Sequence, residues 1–325
     1  MSANNDSIKS RVLAAMLKRG LENKNFTPSA ERVQSWRERY APLKNCLSTH
    51  GFDLVLVAAE DDLGVVAKYL DFYKTNLRPT SICVVTKISD KSTTLFSDTS
   101  VQILDEDSLL PGLTFEKVRS LNSAKTGWYF QQFIKMAYAT RSQQDHYLIF
   151  DGDTVPLVPL EFFSEGKGIF IQKGEFFAPY FNMIEWLFKG QVKREVNFSF
   201  IAESMLINKH IMLEIIAKIE CNPLLSGSTF FEKILNSVYS CGLTGREFSE
   251  YETYGSYVMR YYKDQYEVRQ IRCLREAMKF FDKLPAAYVL NYLSRDFDTV
   301  SFERKHVQDH PLGLTEYINK CLITI

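Results

Sequence analysis

The chain has no excess of charge of either sign: 39 lysines and arginines balance 39 aspartates and glutamates over 325 residues. That balance gives no electrostatic reason to expect nucleic acid as a partner. The six cysteines, Cys46, Cys83, Cys221, Cys241, Cys273 and Cys321, form no Cys-x-x-Cys pair. Their scatter argues against a zinc site or a disulfide framework and suits a reducing compartment. Histidine is sparse, and His50, His146 and His210 have no spacing that suggests a metal site. No run approaches the roughly 20 apolar residues that a membrane span requires. The polar stretch Met1 to Lys9 lacks the apolar segment of a secretory signal. A soluble, cytoplasmic protein is expected. Also missing are Gly-x-Ser-x-Gly, Gly-x-Gly-x-x-Gly and Gly-x4-Gly-Lys, which removes the sequence basis for a serine nucleophile elbow or a glycine-rich phosphate loop.

What is present is an ordinary globular composition, 46% hydrophobic and 24% charged, with enough length for one large domain or two smaller ones. Residues 1–48 read as a polar, helical N-terminal extension, with a helix start at Thr27-Pro28. Near-continuous apolar runs follow at Asp53–Ala59, Ser81–Thr86, Val101–Leu104 and Tyr147–Phe150. Such runs read as strands buried on both faces. Val65–Asn76 and Gly127–Thr140 read as helices, so strand and helix alternate. That pattern predicts an α/β fold with a mixed, mainly parallel sheet flanked by helices. Gly168–Gln172 and Phe198–Ala202 read as further strands, and His210–Glu220 as a helix. Val258–Lys283 reads as mostly helical. The expected organisation is a catalytic domain over 49–260 and a helical C-terminal part, 261–325, packed on it.

Acidic residues follow each of the four apolar runs, at the ends where parallel sheets bind ligands. Asp151-Gly-Asp153 is the most specific of these features. It alone directly follows its apolar run and has glycine between its acids, which suits a tight turn. The other Asp-x-Asp pairs, Asp105/Asp107 and Asp296/Asp298, lack that context. Two carboxylates at a strand mouth can hold a hard divalent cation that takes its remaining ligands from water and substrate phosphates.

Two chemistries fit. The order Gly127-Trp-Tyr-Phe-Gln-Gln-Phe-Ile-Lys135, then Tyr147-Leu-Ile-Phe-Asp-Gly-Asp-Thr154, resembles GT-A nucleotide-sugar glycosyltransferases with a DxD motif. Ser199–Met205 and Phe248–Gly255 resemble the later pieces of a bacterial surface-glycan branch. The likeness spans roughly residues 52–260. Alternatively, Asp151-Gly-Asp-Thr-Val155 fits the first motif of haloacid-dehalogenase-type phosphatases. Those enzymes need a later adjacent acidic pair, and no Asp-Asp occurs downstream of residue 153. A catalytically inactive carbohydrate-binding relative is a third reading.

The glycosyltransferase resemblance implies a GT-A-like fold and transfer of a sugar from a nucleotide-diphosphate donor to a glycan or lipid-linked acceptor. Asp151 and Asp153 would hold Mn²⁺ or Mg²⁺, with His310 as a candidate third ligand beside His306. The nucleotide would lie near Ala58, Ala59, Glu60 and Asp61. Gln132 and Lys135, one helical turn apart, would face the donor. Glu250 or Glu252, in a tyrosine-rich and loop-like stretch, would be the base of an inverting enzyme, with Glu203 as rival. The aromatic and basic stretch Tyr261–Lys283 suits either a solvated helix face or peripheral contact with the inner face of an anionic membrane.

Overall fold

The computed structural model describes residues 51–303 except Asp98, 242–244 and Asp282. The expected extension over 1–48, and His306 and His310, lie outside the described residues. In chain order the first elements are β1 (Phe52–Val57), α1 (Leu63–Lys68), α2 (Leu70–Leu77), β2 (Ser81–Thr86) and α3 (Asp90–Phe96). Next come β3 (Val101–Asp105), α4 (Phe115–Leu121), α5 (Thr126–Ala137), β4 (His146–Asp151), β5 (Thr154–Pro156), β6 (Phe163–Ser164) and β7 (Lys167–Ile171). They are followed by α6 (Ala178–Leu187), β8 (Ser204–Asn208), α7 (Lys209–Glu220), α8 (Phe230–Cys241) and α9 (Glu250–Tyr261). The last are β9 (Tyr266–Arg269), β10 (Cys273–Leu274), α10 (Ala287–Leu293) and β11 (Thr299–Ser301).

The central sheet has the order β3-β2-β1-β4-β8. All its pairings are parallel except β4 with β8. The apolar runs in these strands have a simple cause. Alternate side chains enter two separate cores: Val55, Val57, Tyr147, Ile149, Met205 and Ile207 on one face, and Leu54, Leu56, Leu148, Phe150 and Leu206 on the other. A strand covered on both sides has no face to give to water, so the period-two alternation of a half-buried strand disappears.

The chain adds β2 and β3 on one side of β1 and then crosses to place β4 on the other. The gap between β1 and β4 is therefore a topological switch point, where open α/β sheets form a ligand crevice. The parallel register pairs Val57 with Asp151, so the acidic turn emerges at that crevice. Among the described residues no helix is long and apolar enough to cross a membrane.

The structure corrects two expectations. Val258–Lys283 is not mostly helical: α9 ends at Tyr261 and the chain continues into β9 and β10. β9 pairs with β7, while β11 joins β10 to β5. Residues 261–303 are thus woven into the body by strand pairing, with α10 as their α-helix. Arg269, Arg272 and Arg275 lie on this strand-and-turn segment rather than along a helix. Phe198–Ala202 is not a strand either. Only Ser199 bridges, to Lys173. The Phe200 and Ile201 N–H groups bond instead to the Glu252 carboxylate and the Ser199 hydroxyl. The strand is the next segment, β8.

Candidate active site

Gly152 does not adopt a positive φ. It is small because β1 ends against it: an added Cβ would lie 2.7 Å from the Ala58 Cβ and 3.2 Å from the Val57 carbonyl oxygen. The glycine thus lets the acidic turn lie on the end of β1 rather than bulge over it. Thr154 anchors the far side. Its hydroxyl shares a 2.6 Å hydrogen bond with Ser301, and its carbonyl accepts one from the Tyr73 hydroxyl at 2.6 Å. The turn is fixed at both ends.

Beyond it opens a cleft of ≈ 390 Å³ whose walls include Trp128, Lys135, Asp151, Asp153, Glu203 and Glu250. Asp153 carries the least compensated charge there. Burial, then the carboxylates of Asp151, Glu303 and Asp62, push its carboxyl up to about 7, against a hydrogen bond from Thr154. None of the ion pairs among the described residues involves Asp153.

No group of three His, Cys, Asp or Glu side chains among the described residues could cage a metal. Asp151 and Asp153 could supply two oxygen ligands, leaving the others to water and phosphate, the usual arrangement for magnesium-like ions at phosphate sites. A crowded carboxylate with no ion-pair partner among the described residues fits such an ion.

Lys135, on α5, is buried beneath the turn. Its ammonium lies 3.0 Å from Asp151 Oδ1 and 3.1 Å from Glu250 Oε1. It also lies 4.5 Å from the centre of the Tyr251 ring. Burial alone would lower its pKa, but Asp151, Tyr251 and Glu250 outweigh that and hold it well above the usual lysine value. It is a fixed positive charge. Gln132, one turn earlier, accepts a hydrogen bond from the Glu250 N–H at 3.1 Å. Both residues line the cleft as expected, but their polar ends are spent fastening α9 to the sheet.

Glu250 and Glu252 are not in a loop. They occupy the first turn of α9, where the Ser249 side chain accepts a hydrogen bond from the Glu252 N–H. Ser249-Glu-Tyr-Glu252 has the Ser-x-x-Glu pattern of a helix start, and it is legible in the sequence. The two glutamates diverge. Glu250 faces the cleft, whereas Glu252 accepts hydrogen bonds from the Ser199 hydroxyl and the Phe200 N–H. The segment packs so closely on α9 that a Cβ on Gly255 would collide with the Phe200 ring. That contact brings Ile201, Ala202 and Glu203 to the cleft wall.

Glu203 is a fixed part of that wall. Its main-chain carbonyl accepts the Asp151 N–H at 2.9 Å. Its carboxylate lies 3.2 Å from the Lys173 ammonium and 3.5 Å from Arg275 Nε. Burial would raise its pKa, but Lys173 and Arg275 together hold it below the ordinary value. Arg275 also reaches Glu175 and Glu303, at 3.2 and 3.0 Å.

Of the residues expected from sequence, Gln132, Lys135, Asp151, Asp153, Glu203 and Glu250 share the cleft. Ala58 is buried under Gly152. Ala59, Glu60 and Asp61 are exposed beyond β1 and are not among the cleft walls. Glu60 bonds instead to Ser89 and, through its carbonyl, to Lys91. Tyr180, Arg275 and Glu303 join the cleft without having been expected there. The helical reading of its segment obscures Arg275, and Tyr180 and Glu303 have no local motif. Of the rival acidic pairs, Asp298 is tied to Arg272 at 3.0 Å, and the Asp105 and Asp107 side chains accept main-chain N–H bonds at Asp107 and Phe115.

Fold and site together define an open α/β protein with an acidic crevice at its switch point. The chain belongs to a family of unknown function (DUF6492), whose pattern matches residues 80–268. A search of curated proteins finds no significant match. Among solved structures, the bifunctional glycosyltransferase WbbM in its apo form is 12% identical with a TM-score of 0.39, covering 80% of this chain and 47% of its own. The chain therefore spans about half the length of that protein. The galactosyltransferase LgtC, crystallised with donor and acceptor sugar analogues, is 10% identical with a TM-score of 0.38, covering 84% and 96%. An active-site mutant of LgtC is 12% identical with the same score, covering 83% and 95%. Similarity at this level transfers neither an activity nor a residue role.

Proposed function

We propose that the chain is a metal-dependent glycosyltransferase that moves a sugar from a nucleotide-diphosphate donor to a glycan or lipid-linked acceptor, in bacterial surface polysaccharide or lipooligosaccharide synthesis. The carrying observation is the position of Asp151-Gly-Asp153. It lies at the switch point, on the wall of a cleft, with one carboxylate paired to a buried lysine and the other crowded by acids and unpaired among the described residues. Asp151 and Asp153 would hold Mn²⁺ or Mg²⁺. Such an ion supplies Lewis-acid stabilisation of the departing diphosphate and orients it.

The residues divide the remaining work. Lys135 keeps Asp151 oriented and carries a constant positive charge behind it. Glu203 is held ionised by Lys173 and Arg275, and a carboxylate so stabilised is a weak base. Glu252 is turned to the 199–200 segment. Glu250 faces the cleft and pairs with a single cation, Lys135, which it shares with Asp151; it is assigned the base that receives the acceptor hydroxyl proton.

The test is thermal-shift measurement with UDP, GDP, CDP, dTDP and their sugar conjugates, in Mn²⁺ and in EDTA, on the native chain and an Asp153→Ala variant. Stabilisation by one nucleotide family that needs Mn²⁺ and is lost in the variant is expected. A folded protein that none of them stabilises, or that hydrolyses p-nitrophenyl phosphate through Asp151, would overturn the reading in favour of an inactive binding protein or a phosphatase.

A further inference from the structure

Beside the cleft lies a second hollow of ≈ 260 Å³, with Phe176, Phe177, Tyr180, Ser199, Ile201 and Glu252 on its walls. Tyr180 and Ile201 line both spaces, so the hollow continues from the cleft. Two independent features there point to a ligand.

The first is the outer oxygen of Glu252. One carboxylate oxygen is taken by Ser199 and Phe200. The other, Oε2, has no hydrogen-bond partner among the described residues, although the residue is only 2% exposed. A buried carboxylate oxygen without a donor is costly to maintain. It becomes useful when a ligand brings the donor.

The second is Phe176. Its ring is 60% exposed, yet it is held in place, stacked on Phe181 at 5.6 Å with the Arg194 guanidinium 4.5 Å from its centre. An ordered aromatic ring left in water beside an unmatched hydrogen-bond acceptor suits a sugar, whose C–H face packs on rings while its hydroxyls donate. Of the two carboxylates on its walls, Glu175 is paired with Arg275 at 3.2 Å, which leaves Glu252 Oε2 as the acceptor without a donor among the described residues.

We infer that this hollow is the subsite for the acceptor's sugar ring, with Glu252 Oε2 accepting from a hydroxyl and Phe176 as the packing platform. The inference rests on the transferase reading above.

The experiment is saturation-transfer NMR of the full chain with the methyl glycosides of glucose, galactose, N-acetylglucosamine and glucuronic acid. It is run on the native protein, Phe176→Ala and Glu252→Gln, with the nucleotide thermal shift measured on the same samples. At least one of these glycosides should bind. Each variant should weaken that binding about five- to tenfold while leaving the nucleotide response intact. Phe176→Ala removes an exposed ring, and Glu252→Gln keeps an oxygen for Ser199 and Phe200, so both variants should fold. Failure of every glycoside to bind, or equal binding by the variants, would overturn the subsite. Loss of the nucleotide response in the native protein would instead overturn the transferase reading.

Discussion

Gly152 and Ala58 meet where β4 and β1 end, so closely that a methyl group on the glycine would lie 2.7 Å from the alanine Cβ. Gly152→Ala is therefore expected to destabilise the fold by about 1–3 kcal/mol, as overpacking of a filled site does. It should also weaken the Mn²⁺-dependent nucleotide response, because the strand ends part at the acidic turn. Adding Ala58→Gly should recover part of the loss; the Val57 carbonyl at 3.2 Å remains in the way. Urea unfolding of the native chain and both variants measures this. A neutral Gly152→Ala would remove close packing as the reason for the glycine.

Lys135 offers a second test, of charge rather than volume. Lys135→Met leaves Asp151 and Glu250 without their shared cation. Breaking a buried pair in this way costs about 3–5 kcal/mol. Converting Glu250 to glutamine in the same background removes one stranded charge, so the double variant should be more stable than Lys135→Met alone. Chemical denaturation that finds the two equally stable would mean that Glu250 does not depend on the lysine.

The base assignment is tested separately. Glu250→Gln keeps the side-chain shape and should lower kcat by about 10²–10⁴, the usual contribution of a positioned general base. The Glu203→Gln and Glu252→Gln variants should not reproduce that loss in kcat. A Glu250→Gln enzyme within about threefold of the native kcat, using the donor identified by thermal shift, would remove the residue from the base role.

A pH effect is expected at Glu106, which is not among the cleft walls. Burial, then Asp107 and Asp105, push Glu106 up to about 7 from its ordinary 4.5, with Lys87 opposing. The folded state thus holds this proton more tightly than the unfolded chain. Below about pH 4.5 the group is protonated in both states and imposes no penalty. Stability is lost as pH rises from there through about 7, and the full penalty stands above it. Glu106→Gln should accordingly stabilise the protein by roughly 1–2 kcal/mol at about pH 8, allowing for solvent screening, and hardly at all at about pH 4. Thermal unfolding at the two pH values decides it.

The central strands are legible because burial on both faces writes itself into the chain as unbroken apolar runs. The acidic turn is legible because it directly follows such a run. The segment from Val258 to Lys283 misleads for the opposite reason. Arginines at 269, 272 and 275 repeat at three-residue intervals, but they alternate with Ile271, Cys273 and Leu274 on a meander whose pairing partners include β7, far away in sequence, and β11. Phe198–Ala202 is apolar because Phe200 packs against Gly255 and Phe170, not because its backbone joins a sheet. At the site, local signals locate Lys135 and Glu250 but not their mutual contact, which depends on how α5 and α9 approach. Glu203 and Arg275 meet only through tertiary structure.

The antiparallel direction of β8 has a further consequence. β4 runs out to the crevice and ends at Asp151, and β8 begins there, with the Glu203 carbonyl held by the Asp151 N–H. The stretch between starts and returns at one point, and on the way it is pinned to the body by β5 on β11 and β7 on β9. It carries Phe176, Phe177 and Tyr180, which are residues of the second hollow. A segment with its two ends already together adds little closure entropy when it is lengthened or replaced. Lengthening its exposed bends would therefore alter what enters beside the acidic turn at little cost in closure, while β5 and β7 keep the excursion seated.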